Sequence, residues 1–90
     1  MVKGVIVMKK AMLYSAVNYE GLFMDECFMS VDRSKALELM HYNKDVAYIE
    51  EAEAMIDLER NLRPGFRIAG FYTREDFEQD IRTGTVKIND

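Results

Sequence analysis

The apolar pattern between Asp32 and Gly65 changes phase near Asn43-Lys44-Asp45, and no single straight helix satisfies both halves. Before the break, Ala36, Leu37, Leu39 and Met40 share one side of a helical wheel, with Lys35, Glu38 and Tyr42 opposite. Asp32 or Ser34 can accept the unpaired N–H groups of a helix start. This predicts an amphipathic helix of about three turns. After the break, Tyr48, Ile49, Ala52, Met55, Ile56, Leu58 and Leu62 fill an arc of roughly 180°. Glu50, Glu53, Asp57, Arg60 and Asn61 fill the other arc. The two stripes miss each other by on the order of 100°, which predicts two helices or one sharply kinked helix. Glu50 to Arg60 is dense in strong helix formers, in favour of that reading. The rival reading is a short strand at Val46 to Ile49, where Val, Tyr and Ile suit a pleated surface. Pro64 moves Arg63 out of helical geometry and Gly65 permits a turn, so the helix stops by about Leu62.

The flanks read mainly as strands. Gly4 to Met8 is a compact apolar run, with Lys9 and Lys10 projecting at its edge. Ala11 to Val17 suits either state. As a strand it puts Leu13, Ser15 and Val17 on one face and Met12, Tyr14 and Ala16 on the other. Asn18-Tyr19-Glu20-Gly21 is a turn, because Asn and Gly tolerate positive φ. Phe23, Cys27, Met29 and Val31 then recur at even spacing, so a β-hairpin returning over Leu22 to Val31 is expected. Phe66 to Tyr72 is apolar on both faces, with Phe66, Ile68 and Tyr72 on one and Ala69 and Phe71 on the other. That predicts a central strand, covered on both sides or placed at a dimer contact. Gly70 signals a bulge or a close backbone approach. Thr73 is an N-cap followed by Glu75 and Asp76, a capping-box variant that opens a short helix. Phe77 and Ile81 are spaced to anchor that helix, and Gly84 ends it. Thr85-Val86-Lys87-Ile88 alternates like a final edge strand.

The expectation is therefore a single α+β domain over residues 1–90, in the order β-β-α-α-β-α-β. It has a mainly antiparallel sheet of about four strands with helices packed on one face.

Ninety residues suffice for one modest core. No apolar run approaches the length of a membrane span, and the N-terminus lacks a signal-peptide pattern, so a cytoplasmic location is expected. The net charge is −4, and the excess acid lies beyond residue 45. This argues against a duplex-binding protein that relies on a large basic footprint, and leaves a local basic patch open. Cys27, the single cysteine, makes no internal disulfide and reads as a buried small hydrophobe. Its neighbours Asp25 and Glu26 would raise its pKa.

Catalytic constellations are thin. Glu38 and His41 stand at i, i+3, the spacing used in di-iron bundles, but only one copy is present. A Cys/His zinc site fails on ligand count. Ser15, Ser30 and Ser34 lack a nucleophile elbow, and Gly65 and Gly70 lack phosphate-loop spacing. No enzyme, metal or cofactor is expected.

The sharpest feature is acidic: Glu50, Glu53 and Asp57, with Arg60 beside them, on one face of the central helix. The ordinary reading is a solvated helix face. The functional reading is a docking surface for a protein partner with a basic surface. A second candidate is a nucleic-acid or nucleotide site built from Arg63, Arg67, Tyr72 and Arg74 around the Pro-Gly turn. A third is a homo-oligomer, such as a homodimer, assembled through the apolar strand at Phe66 to Tyr72. In overall style the chain is similar to small phage-encoded host-modulating proteins: short, acidic, rich in Met and Tyr, without catalytic equipment. That likeness carries no residue-level transfer. It makes a non-enzymatic protein-binding module, acting as an inhibitor of a host or defence protein, the leading expectation.

Overall fold

The chain forms three strands and two helices in a computed structural model that describes residues 8–57 and 62–88. In order they are β1 (Met8–Asn18), α1 (Arg33–Tyr42), β2 (Val46–Asp57), β3 (Leu62–Thr73) and α2 (Arg74–Thr83). The fold is α+β, as expected, but the order is β-α-β-β-α. The sheet is antiparallel throughout, with β2 between β1 and β3.

The main correction falls on the second central helix. Residues 46–57 are a strand along their whole length, not a helix after a kink. Helix formers such as Glu51, Ala52, Glu53 and Ala54 are overruled because both edges of this segment are hydrogen-bonded, to β1 and to β3. Strand propensity depends more on such context than on the residue itself. Near the start of β2, Ala47 is the extra residue of a bulge, with Asn18 opposite Val46 and Val17 opposite Tyr48.

α1 forms as the spacing predicts. Asp32 caps it, its carboxylate accepting from Ser34 N at 3.0 Å, and Ala36, Leu37 and Met40 are buried. α2 carries the full capping box: Asp76 N donates to Thr73 Oγ1 at 3.1 Å and Thr73 N to Asp76 Oδ2 at 3.2 Å. Gly84 ends it in the left-handed region at φ 78°. Phe77 is buried, but Ile81 is exposed and does not share the anchoring role.

Both helices cover one face of the sheet. Ala36, Leu37 and Met40 of α1 and Phe77 of α2 pack with Ala16 and Ile49 into one core, joined by Cys27, Val46 and Val86. Val86 and Ile88 reach this core from irregular backbone, so the expected final strand at 85–88 does not form. Gly4 to Met8 falls outside the described residues except for Met8, which opens β1.

The turn at residues 18–21 is present. The Asn18 side chain accepts from Glu20 N and Leu22 N, and Gly21 sits at φ 83°. The chain then returns along the outer edge of β1, but as an irregular segment with two isolated bridges instead of a regular strand. Five backbone bonds close that edge: Tyr14 N to Ser30 O, Ser30 N to Tyr14 O, Ala16 N to Cys27 O, Met24 N to Ala16 O and Asn18 N to Leu22 O. β3 is consequently an outer strand of a three-stranded sheet, not a central one.

Candidate functional site: the open face of the sheet

β1 sorts its side chains as the alternation predicts. Tyr14 and Ala16 join the helix-covered core, while Leu13, Ser15 and Val17 point to the opposite face. That opposite face has no helix on it. Part of it is shielded by the 22–30 segment, whose Phe23, Phe28 and Met29 share a groove of about 80 Å³ with Leu13, Ser15, Glu50, Ala52 and Phe66. Ser15 Oγ pins this segment, accepting from Met29 N at 2.9 Å. Met29 holds a positive φ of 50°, a conformation uncommon for residues other than glycine.

A bulge in β3 decides what else lies there. Glu51 pairs with Gly70 and Ala52 with Ile68, so Ala69 is the extra residue. A bulge of one residue reverses the alternation beyond it. Phe66 and Ile68 pair with Ala54 and Ala52, and Phe71 pairs with Glu50, so all three project from the open face. Tyr72, paired with Ile49, turns to the helix-covered core. The grouping of Tyr72 with Phe66 and Ile68 that simple alternation gives is thus corrected.

The result is a continuous apolar surface. Phe23, Phe28, Phe66, Ile68 and Phe71 are 50, 52, 56, 41 and 57% exposed. Phe23 and Phe28 stack edge to face at 5.1 Å, and Phe71 meets Tyr48 in the same way at 5.5 Å. With each aromatic side chain presenting on the order of 200 Å² in full, these five residues expose about 500 Å². That is the size of the largest apolar patch on an ordinary monomer, and such patches often mark interaction sites. Ala52 and Ala54 are buried on this face, Ala52 within the groove beside Phe23, Phe28 and Phe66. Glu50 is half-buried in the groove, and its carboxylate has neither hydrogen bond nor ion pair among the described residues.

The acidic residues singled out from the sequence are not brought together. On a strand, Glu50 and Glu53 fall on opposite faces. Glu53 pairs with Lys10 Nζ at 2.8 Å and with Arg67, and these two cations, Lys10 first, hold its carboxyl below the usual range. Asp57 closes β2 opposite Met8 and Leu62, and Arg60 lies outside the described residues. The arginine group is dispersed too. Arg67 is engaged by Glu53, and Arg63 is placed only as part of β3. Tyr72 donates its hydroxyl to Asp80 Oδ2 at 2.6 Å, with the Arg33 guanidinium 5.1 Å above its ring. Arg74 donates to three main-chain carbonyls at the end of α1 and the start of β2.

The aromatic surface was not visible as a unit in the sequence. Gly70 signalled the bulge, but its consequence, moving Phe71 to the side of Phe66, needs the register of the neighbouring strand. Cys27 is buried, and burial is the main cause that pushes its thiol up, away from reactive thiolate character. Among the described residues no three His, Cys, Asp or Glu side chains converge as metal ligands, and no helix is long and apolar enough to cross a membrane. The chain matches no protein-family model, no curated protein and no solved structure.

Proposed function

We propose that this is a non-enzymatic protein-binding module that docks its partner on the open face of the sheet. The observation that carries the reading is the placement of Phe66, Ile68 and Phe71 on one helix-free face, facing Phe23 and Phe28. The partner presents apolar side chains together with a basic one. The apolar part follows from the exposed rings, which supply the buried centre of an interface. The basic part follows from Glu50, whose carboxylate has no partner among the described residues and sits in an aromatic-walled groove, where a lysine or arginine would gain both charge pairing and contact with ring faces. A second copy of the chain is the rival occupant, which the test separates from a distinct partner. Inhibition of a host or defence protein, in the manner of small phage-encoded modulators, is the form this docking takes in the proposal.

The test compares capture by the parent chain with capture by Phe66→Ser/Phe71→Ser, Glu50→Lys and the opposite-face variant Glu53→Gln. A stoichiometric protein retained by the parent and by Glu53→Gln, and lost by the other two, supports the proposal. Retention by all four contradicts it. A parent dimer that dissociates in Phe66→Ser/Phe71→Ser makes the partner a second copy instead.

A further inference from the structure

A second site lies on the other side of the molecule, where α1 ends and α2 begins. A groove of about 320 Å³ opens there between His41 and Lys44 on one side and Arg74, Glu78, Ile81 and Arg82 on the other, a volume at the lower end of small-molecule sites. In a chain of net charge −4, this is a local concentration of positive charge.

Arg74 gives the groove its chemistry. Its Nε donates to Val46 O at 2.9 Å, and its Nη2 to Met40 O at 3.0 Å and Asn43 O at 2.9 Å. Guanidinium carries five N–H donors in a rigid plane. Three are thereby spent, the plane is locked, and both Nη1 hydrogens have no acceptor among the described residues. The two Nη2 bonds satisfy carbonyls at the C-terminal end of α1, the end whose dipole would otherwise repel an anion. Lys44 and Arg82 are exposed and unpaired among the described residues. Glu78 is the one carboxylate among the lining residues. Three cations, one of them locked, against one anion leave an excess suited to a dianion.

We propose that this groove binds a phosphate monoester, with the locked Arg74 guanidinium as its anchor, Lys44 and Arg82 as flanking cations and Ile81 against the organic part. A phosphate monoester is nearly dianionic at neutral pH and accepts charge-assisted hydrogen bonds from the two remaining Nη1 hydrogens. The ester is either a free small molecule or a phosphorylated side chain of a protein. This inference is independent of docking on the open sheet face.

The test is an amide-shift titration of the intact chain with phenyl phosphate, with a short phosphoserine peptide and with sulfate. Saturable shifts confined to residues around 41–46 and 74–82, from either ester and more weakly from sulfate, support the site. The stronger of the two esters identifies the source. Lys44→Glu and Arg82→Glu, both surface changes, should each weaken binding by about tenfold, and rising salt should weaken it further. Shifts that do not saturate, that spread equally to Lys9 and Lys35, or that survive both charge reversals overturn the proposal.

Discussion

Arg74 Nε donates to the carbonyl of Val46 at 2.9 Å, tying the first residue of α2 to the first residue of β2. With the two further bonds from Nη2, one guanidinium joins the end of α1, the loop at Asn43 and the start of the central strand. These contacts cross the region where the apolar pattern changes phase, and they show what the break is for: it ends a helix and starts a strand.

Replacing Arg74 therefore tests the fold. Arg74→Ala leaves the carbonyls of Met40, Asn43 and Val46 without this donor, and a loss of about 2–3 kcal/mol is expected. Arg74→Lys recovers only part of it, because an ammonium cannot reproduce the planar fork. Urea unfolding measures both. Unchanged midpoints would show that the three bonds contribute nothing.

Ser15 holds the aromatic segment over the open face through its bond to Met29 N. Ser15→Ala removes that acceptor at a buried position, for an expected cost of about 1–2 kcal/mol. The Phe23–Phe28 contact should loosen with it, visible as altered ring shifts in NMR spectra. A variant of parent stability with unaltered ring shifts would contradict the assigned role.

Tyr72 sets an alkaline limit. Burial, then its hydrogen bond to Asp80 and the charge of that carboxylate, push the phenol well above its ordinary pKa. A folded-state pKa above the unfolded value means that the protonated hydroxyl contributes stability below about pH 10, the unfolded value. That contribution is lost as pH rises from there toward the folded pKa. Tyr72→Phe should flatten the decline of stability above pH 10, at a cost of about 1 kcal/mol at neutral pH. Parallel alkaline profiles for parent and variant would sink this assignment.

The parts of the fold that were legible in the sequence rest on local chemistry. Asp32, Thr73 with Asp76, Gly84 and the Asn18-to-Gly21 turn act on backbone within a few residues, so their effect can be read from the chain alone. β1 was legible in its faces, since Leu13, Ser15 and Val17 separate from Tyr14 and Ala16 by simple alternation. β2 was hidden by composition. Glu51, Ala52, Glu53 and Ala54 are helix formers, yet their polar-apolar alternation is the period of a strand, and it is the signal that tertiary pairing enforces.

The candidate site was legible only in its ingredients. Phe66, Ile68 and Phe71 were visible as an apolar run, but the bulge at Ala69 assigns them to one face, and only the pairing with β2 locates it. Glu50 was singled out for a helix face; its significance on a strand is its place in the groove, away from Glu53. Arg74 was singled out with Arg63 and Arg67, whereas the fold gathers it with Lys44 and Arg82 across a helix pair that no local pattern indicates.

Docking on the open sheet face is tested most directly by site-specific photo-crosslinking. A photoreactive phenylalanine analogue is placed at Phe66 or Phe71, aromatic for aromatic, and at Lys35 on α1 as an exposed control outside both proposed sites. After irradiation in a native lysate, one discrete adduct to the same protein is expected from positions 66 and 71, and none from position 35. The same adduct from position 35, or none from 66 and 71, would contradict docking on this face.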